Sequence, residues 1–106
     1  MILYIDTTDS SKTIVALDKN SARTVLAEKT DHTKSQNVLP LIEKLLQQEN
    51  SSLQDLTGIE VNIGPGSFTG VRVGVTVANT LAWTLGIPVN NQKPPVLPVY
   101  TPSKFD

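Results

Sequence analysis

The sequence predicts a single α/β lobe built on a mixed sheet, with elements in the order βββαβα and an extended proline-rich tail. Three observations predict it. A short apolar run, Ile2 to Ile5, stops at a polar cluster; apolar residues take up a helical period after Thr33; and glycine and proline punctuation at Gly64 to Gly70 and at Gly86 to Pro88 brackets a second helical segment. Residues 1–90 are the expected lobe and residues 91–106 the tail.

Ile2 to Ile5 has the pattern of a central strand buried on both faces, ended by the turn Asp6-Thr7-Thr8-Asp9-Ser10-Ser11. Thr13 to Leu17 is rich in β-branched residues, Asp18-Lys19-Asn20-Ser21 is a turn cluster, and Thr24 to Ala27 follows, so the sheet begins as an antiparallel meander. From Thr33 to Glu49, Val38, Leu39, Leu41, Ile42, Leu45 and Leu46 share one side of a helical wheel opposite Gln36, Glu43, Lys44 and Gln47. Pro40 inside that pattern predicts a kink, the alternative being a later helix start. Ile59, Val61 and Ile63 alternate with Glu60 and Asn62 as a half-buried strand, and a second helix runs to about Leu85, stopped by Gly86-Ile87-Pro88. Beyond Asn90, Lys93-Pro94-Pro95-Val96-Leu97-Pro98-Val99-Tyr100-Thr101-Pro102 has no periodicity and few donors, so it reads as an extended tail outside the core.

Composition narrows the function classes. Nine Lys and Arg against ten Asp and Glu leave no positive excess for holding RNA alone. With no cysteine, a disulfide framework, a thiolate metal site and a Cys nucleophile are excluded. The one histidine, His32, excludes a His-pair metal site and reads as a helix-start residue. The apolar run at the N-terminus is too short for a signal-peptide core or a membrane span, which predicts a soluble, cytoplasmic protein without membrane association. No residue stands out as catalytic, cofactor-binding or metal-binding.

The loop Gly64-Pro65-Gly66-Ser67-Phe68-Thr69-Gly70 opens a helix, where backbone N–H groups point at an anion. It lacks the Lys and Ser or Thr that a phosphate loop carries after its last glycine, having Val71-Arg72 there, so the expected role is a tight turn with Ser67 or Thr69 as cap. Gly70, Gly74, Ala78, Ala82 and Gly86 recur every four residues as a shallow ridge, which packs most simply on the domain's own sheet. Arg72, Thr76, Asn79, Thr80 and Trp83 lie together on the opposite face, with Val73 at its margin, and Arg72 is their only charge. An ordinary solvated face would carry Glu and Lys. Two readings fit it: a docking face for a partner, given that tryptophan and arginine dominate interface hot spots, or a face covered by the chain's own tail.

Ile5-Asp6-Thr7-Thr8, His32-Thr33 leading into Val38-Leu39-Pro40 and Leu45-Leu46, and above all the string from Gly64 to Gly74 resemble the N-terminal lobe of the TsaB (YeaZ) family of tRNA threonylcarbamoyladenosine biosynthesis proteins. The resemblance implies an actin-like (ASKHA, ribonuclease H-like) βββαβα lobe. It also implies a non-catalytic scaffold that dimerises through its two helices with a TsaD-like catalytic paralogue. That paralogue carries metal and nucleotide and modifies the adenosine beside the anticodon, a TsaE-like ATPase joins the pair, and tRNA is met only through the complex. By position Asp6-Thr7-Thr8 matches the first phosphate loop of the actin-like fold, but the hairpin here has no glycine, and Asp6 reads as a turn cap. Family members continue into a second lobe where this sequence stops, and Leu97-Pro98-Val99-Tyr100 resembles their proline–tyrosine ending, so no interlobe nucleotide cleft is expected within the chain. The alternatives are a phosphate-binding half-site completed by another chain, and a homodimer through the same helices.

Overall fold

Leu3 sits at the centre of the sheet, opposite Leu17 on one side and Ile59 on the other, and the register around it decides which face is covered. The computed structural model describes residues 1–30, 34–66 and 68–99, giving the backbone alone at 34–36 and 68. Its strands are β1 (Ile2–Asp6), β2 (Lys12–Lys19), β3 (Ala22–Lys29) and β4 (Gly58–Val61); its helices are α1 (Lys34–Gln48) and α2 (Phe68–Leu85). The sheet order is β3-β2-β1-β4, antiparallel from β1 to β3 and parallel between β1 and β4.

Because Leu3 pairs with Leu17 and Ile59, and Ile5 with Val15 and Val61, all six apolar side chains share one face, and all six are buried. Helix α1 packs on β2 and β3, α2 packs on β4 and β1, and the helices touch each other, so both lie on that face. The expectation that β1 is buried on both faces is therefore corrected. Its residues alternate between buried and half-buried, since no element among the described residues covers the other side. There Tyr4 is shielded by Arg23, whose guanidinium lies 5.2 Å from the ring centroid and forms a two-pronged pair with Asp18 at 2.6 and 2.8 Å.

Local signals set the boundaries. Asn20 and Ser21 both have positive φ, 52° and 66°, making the two-residue turn that matches strand twist and closes β2 onto β3. Helix α1 runs unbroken through Pro40, so it begins with its polar residues and not after the proline, and Pro40 itself is exposed. The apolar stripe of α1 is narrower than the wheel suggests: Val38, Leu41, Ile42, Leu45 and Leu46 are buried, but Leu39 falls beyond its edge and is 53% exposed. Asn50, at φ 50°, ends α1, with Ser51 N–H donating to Leu46 O and Asn50 N–H to Gln47 O. Gly86, at φ 67°, ends α2 in the same way: Ile87 N–H donates to Ala82 O and Gly86 N–H to Trp83 O.

Past α2 the chain starts a fifth strand and abandons it. Ile59 N–H donates to Pro88 O, Asn90 N–H donates to Ile59 O, and the intervening Val89 is fully buried. Asn90 and Asn91, both at positive φ, then turn the chain away. The Asn90 side-chain amide takes over as the strand's continuation, accepting from Val61 N–H at 2.8 Å and donating to Val61 O at 3.1 Å. From there the tail runs back along α2. Val96 joins the core at 4% exposure, against the expectation that the tail lies outside it.

Candidate functional site

The strand-to-helix loop folds around the chain itself. Thr7, fully buried at the end of β1, donates its hydroxyl proton to Gly70 O and accepts from Gly74 N–H at 3.0 Å. These are the two groups that one helical turn normally pairs with each other, so the threonine hydroxyl is inserted against the α2 ladder. Gly74 is there because a Cβ would overlap Thr7 Oγ1 and come within 3.3 Å of Thr7 Cγ2. At Gly66 a Cβ would press on Val71 and Thr8 at 2.8 and 2.9 Å, and at Gly64, with φ 108°, it would overlap the Val99 carbonyl oxygen. Val99 N–H in turn donates to Ile63 O. The glycines thus make room for a hydroxyl, a side chain and the tail.

Asp6 caps the preceding turn. Its Oδ1 accepts from Thr8 N–H at 2.9 Å and Thr8 Oγ1 at 2.7 Å, and its Oδ2 from Tyr4 and Asn62, both at 3.2 Å. Burial pushes the Asp6 carboxyl upward, but the bonds from Thr8, Asn62 and Tyr4 outweigh it and hold the group below the ordinary carboxylate range. Tyr4 is raised by burial and by the neighbouring Asp6 charge. A carboxylate engaged by four donors serves the turn, and no group of three His, Cys, Asp or Glu side chains gathers among the described residues.

Of the ridge residues in α2, Gly70, Gly74, Ala78 and Ala82 are buried toward the sheet, while Gly86 caps the helix with open space around it. On the opposite face Arg72, Thr76, Thr80 and Trp83 are exposed, Trp83 at 73%, and Val73 is half-buried against the core. Asn79 belongs to the tail: its Nδ2 donates to Val96 O at 2.9 Å and its Oδ1 accepts from Val96 N–H at 2.8 Å. On this face the tail therefore covers the flank at Asn79, while Thr76, Thr80 and Trp83 stay exposed. At its C-terminal end a depression of about 570 Å³ lies between Trp83, Ile87, Lys93 and Pro94. Of the loop residues, Pro65 and Thr69 are exposed, whereas Ser67 and the Phe68 side chain lie outside the described residues, as do His32 and the tail from Tyr100. The Asn79 and Asn90 clamps and the inserted Thr7 were not read from the sequence; the pair Asn90-Asn91 carries a turn signal that could have marked the second clamp.

No helix among the described residues is long and apolar enough to cross a membrane. Residues 13–91 match the family described as TsaD, tRNA N6-adenosine threonylcarbamoyltransferase. The chain is 44% identical over 92 residues to the tRNA threonylcarbamoyladenosine biosynthesis protein TsaB of Bacillus subtilis (strain 168), covering 84% of this chain and 39% of that protein. It is 34% identical over 88 residues to the TsaB protein of Escherichia coli (strain K12), covering 83% and 38%. The solved structure of YeaZ from Pseudomonas aeruginosa superposes with a TM-score of 0.79 at 32% identity, over 83% of this chain and 41% of that one. The chain spans about two fifths of the length of these relatives. Sequence from β2 through α2, the mixed sheet with its actin-like βββαβα order and these likenesses together place the chain in the TsaB (YeaZ) family of tRNA threonylcarbamoyladenosine biosynthesis proteins.

Proposed function

We propose that this lobe is a non-catalytic partner subunit in tRNA threonylcarbamoyladenosine synthesis, docking the open stripe of α2 onto a TsaD-like catalytic paralogue in the cytoplasm. The observation that carries the reading is Trp83, 73% exposed on a stripe whose other members are Thr76, Thr80 and a single charge, Arg72. A large indole left in water by the lobe's own packing is available to a partner, and threonines can be desolvated without stripping the hydration shell of a Lys or Glu. The helix is anchored at two places: Thr7 ties its first turn to β1 and Asn79 ties its middle to the tail. In this reading chemistry, nucleotide and metal belong to the paralogue, a TsaE-like ATPase joins the pair, and tRNA is reached through the complex.

A phosphate-binding half-site has less support, because Asp6 is engaged by four donors and Gly64 faces the Val99 carbonyl oxygen, a repulsive neighbour for an anion. The test is size-exclusion chromatography with light scattering of the chain mixed with TsaD from the same organism, with and without ATP. A stable heteromeric peak is the expected result. Separate elution under both conditions refutes the docking reading.

A further inference from the structure

Strand β3 forms one edge of the sheet, and it is long and regular: all eight residues, Ala22–Lys29, pair with β2 without a bulge or proline. Its outward half-ladder can be assigned. The two-residue turn at Asn20-Ser21 makes Lys19 and Ala22 a hydrogen-bonded pair, and Thr30 N–H donates to Ser11 O at 2.9 Å, so the even-numbered residues direct their N–H and C=O groups at β2. Arg23, Val25, Ala27 and Lys29 therefore aim theirs away from the sheet, and among the described residues no strand pairs with them. Val25, at the middle of the row, is also 53% exposed on the uncovered sheet face.

We infer that β3 pairs antiparallel with β3 of a second copy of this chain about a two-fold axis through Val25, giving a continuous eight-stranded sheet. The edge accepts its own copy without a clash. A two-fold axis normal to the sheet keeps both helix layers on one face, and centring it on Val25 sets Val25 against Val25, Arg23 against Ala27, Ala22 against Glu28 and Ser21 against Lys29. No like charges stand directly opposite. Arg23 and the second copy's Lys29 are diagonal neighbours, about 7–8 Å apart, and Arg23 is already paired with Asp18 within its own copy. Moving the register by one step, to an axis through Leu26, would put Arg23 directly against Lys29, which disfavours it. The unpaired backbone groups and the exposed valine are thus satisfied by one arrangement. This surface is separate from the α2 stripe, so the inference stands or falls independently of the docking reading.

Sedimentation of the chain over a wide concentration range, together with residue-resolved amide exchange, tests it. The expected result is a concentration-dependent dimer in which the amides of Arg23, Val25 and Ala27 become protected while those of Thr24 and Leu26 are protected at every concentration. Val25→Lys places two ammonium groups against each other at the axis and should weaken dimerisation roughly tenfold or more, whereas Val25→Thr and Trp83→Glu should leave it within about threefold. A chain that stays monomeric throughout overturns the inference. So does a dimer that Trp83→Glu breaks and Val25→Lys does not, or one in which the Val25 amide exchanges freely.

Discussion

Replacing Gly74 with alanine asks whether the join between β1 and α2 rests on one inserted hydroxyl. Taken as a helix residue alone, the change should stabilise by about 1 kcal/mol, since alanine is the better helix former. The structure reverses the sign. The new methyl overlaps Thr7 Oγ1 and lies 3.3 Å from Thr7 Cγ2, and Thr7 is fully buried with no room to retreat. Overpacking costs about 1–3 kcal/mol, and pushing the hydroxyl off Gly70 O and Gly74 N–H adds about 1–3 kcal/mol for buried groups left poorly paired. The net expectation is a loss of about 1–5 kcal/mol, centred near 3, a large part of the stability of a lobe this size. Thr7→Ala removes both offending atoms and lets Gly74 N–H return to Gly70 O, while Ile5 Cγ2 at 3.4 Å remains an ordinary contact. In that background Gly74→Ala should be neutral or stabilising by up to about 1 kcal/mol, giving a coupling energy of about 3 kcal/mol. Urea unfolding of the four proteins, followed by circular dichroism, measures it. Equal costs of Gly74→Ala in the two backgrounds would refute the reasoning.

Asn79→Ala deletes both bonds to the Val96 backbone; residues 92–99 should exchange their amides faster, with a stability loss of about 1–3 kcal/mol, while the exchange of β1 and β2 keeps its order. Asp6 has a folded-state pKa below its ordinary value, so its contribution to stability is complete above the ordinary aspartate range, about 3.9, and is lost as pH falls through the lower folded value. Asp6→Asn should flatten the stability curve on the acid side, and an acid limb of unchanged slope would count against the turn-cap role.

The sheet was legible in the sequence because its signals are local. The alternation in β4, the β-branched run of β2, the Asn20-Ser21 turn and the Gly86 stop each depend on neighbours in the chain, and each element lies close to where the pattern puts it. Contacts made across the fold were not legible. Thr7 reaches Gly70 across 63 residues, and in sequence it is one threonine of a polar turn like any other. Val96 reads as one apolar residue of a proline-rich run, and its place in the core comes with the Asn79 clamp that holds its backbone against α2. A helical wheel puts Leu39 with the apolar stripe because it gives azimuth but not the width of the covered face. On α2 the stripe was legible as a set, yet which member the tail would take depends on where the chain turns after Val89, a choice made by Asn90 and Asn91.

The most direct test of the docking account is the affinity of Trp83→Glu for the TsaD-type paralogue, measured by titration calorimetry beside the unsubstituted chain. Trp83 is exposed in the lobe, so the variant should keep its fold and its unfolding midpoint. An exposed tryptophan anchor exchanged for a charge buried unpaired against the partner should cost at least about 2 kcal/mol of binding, a Kd raised roughly thirtyfold or more. An unchanged Kd would contradict the assignment of the α2 stripe as the docking face.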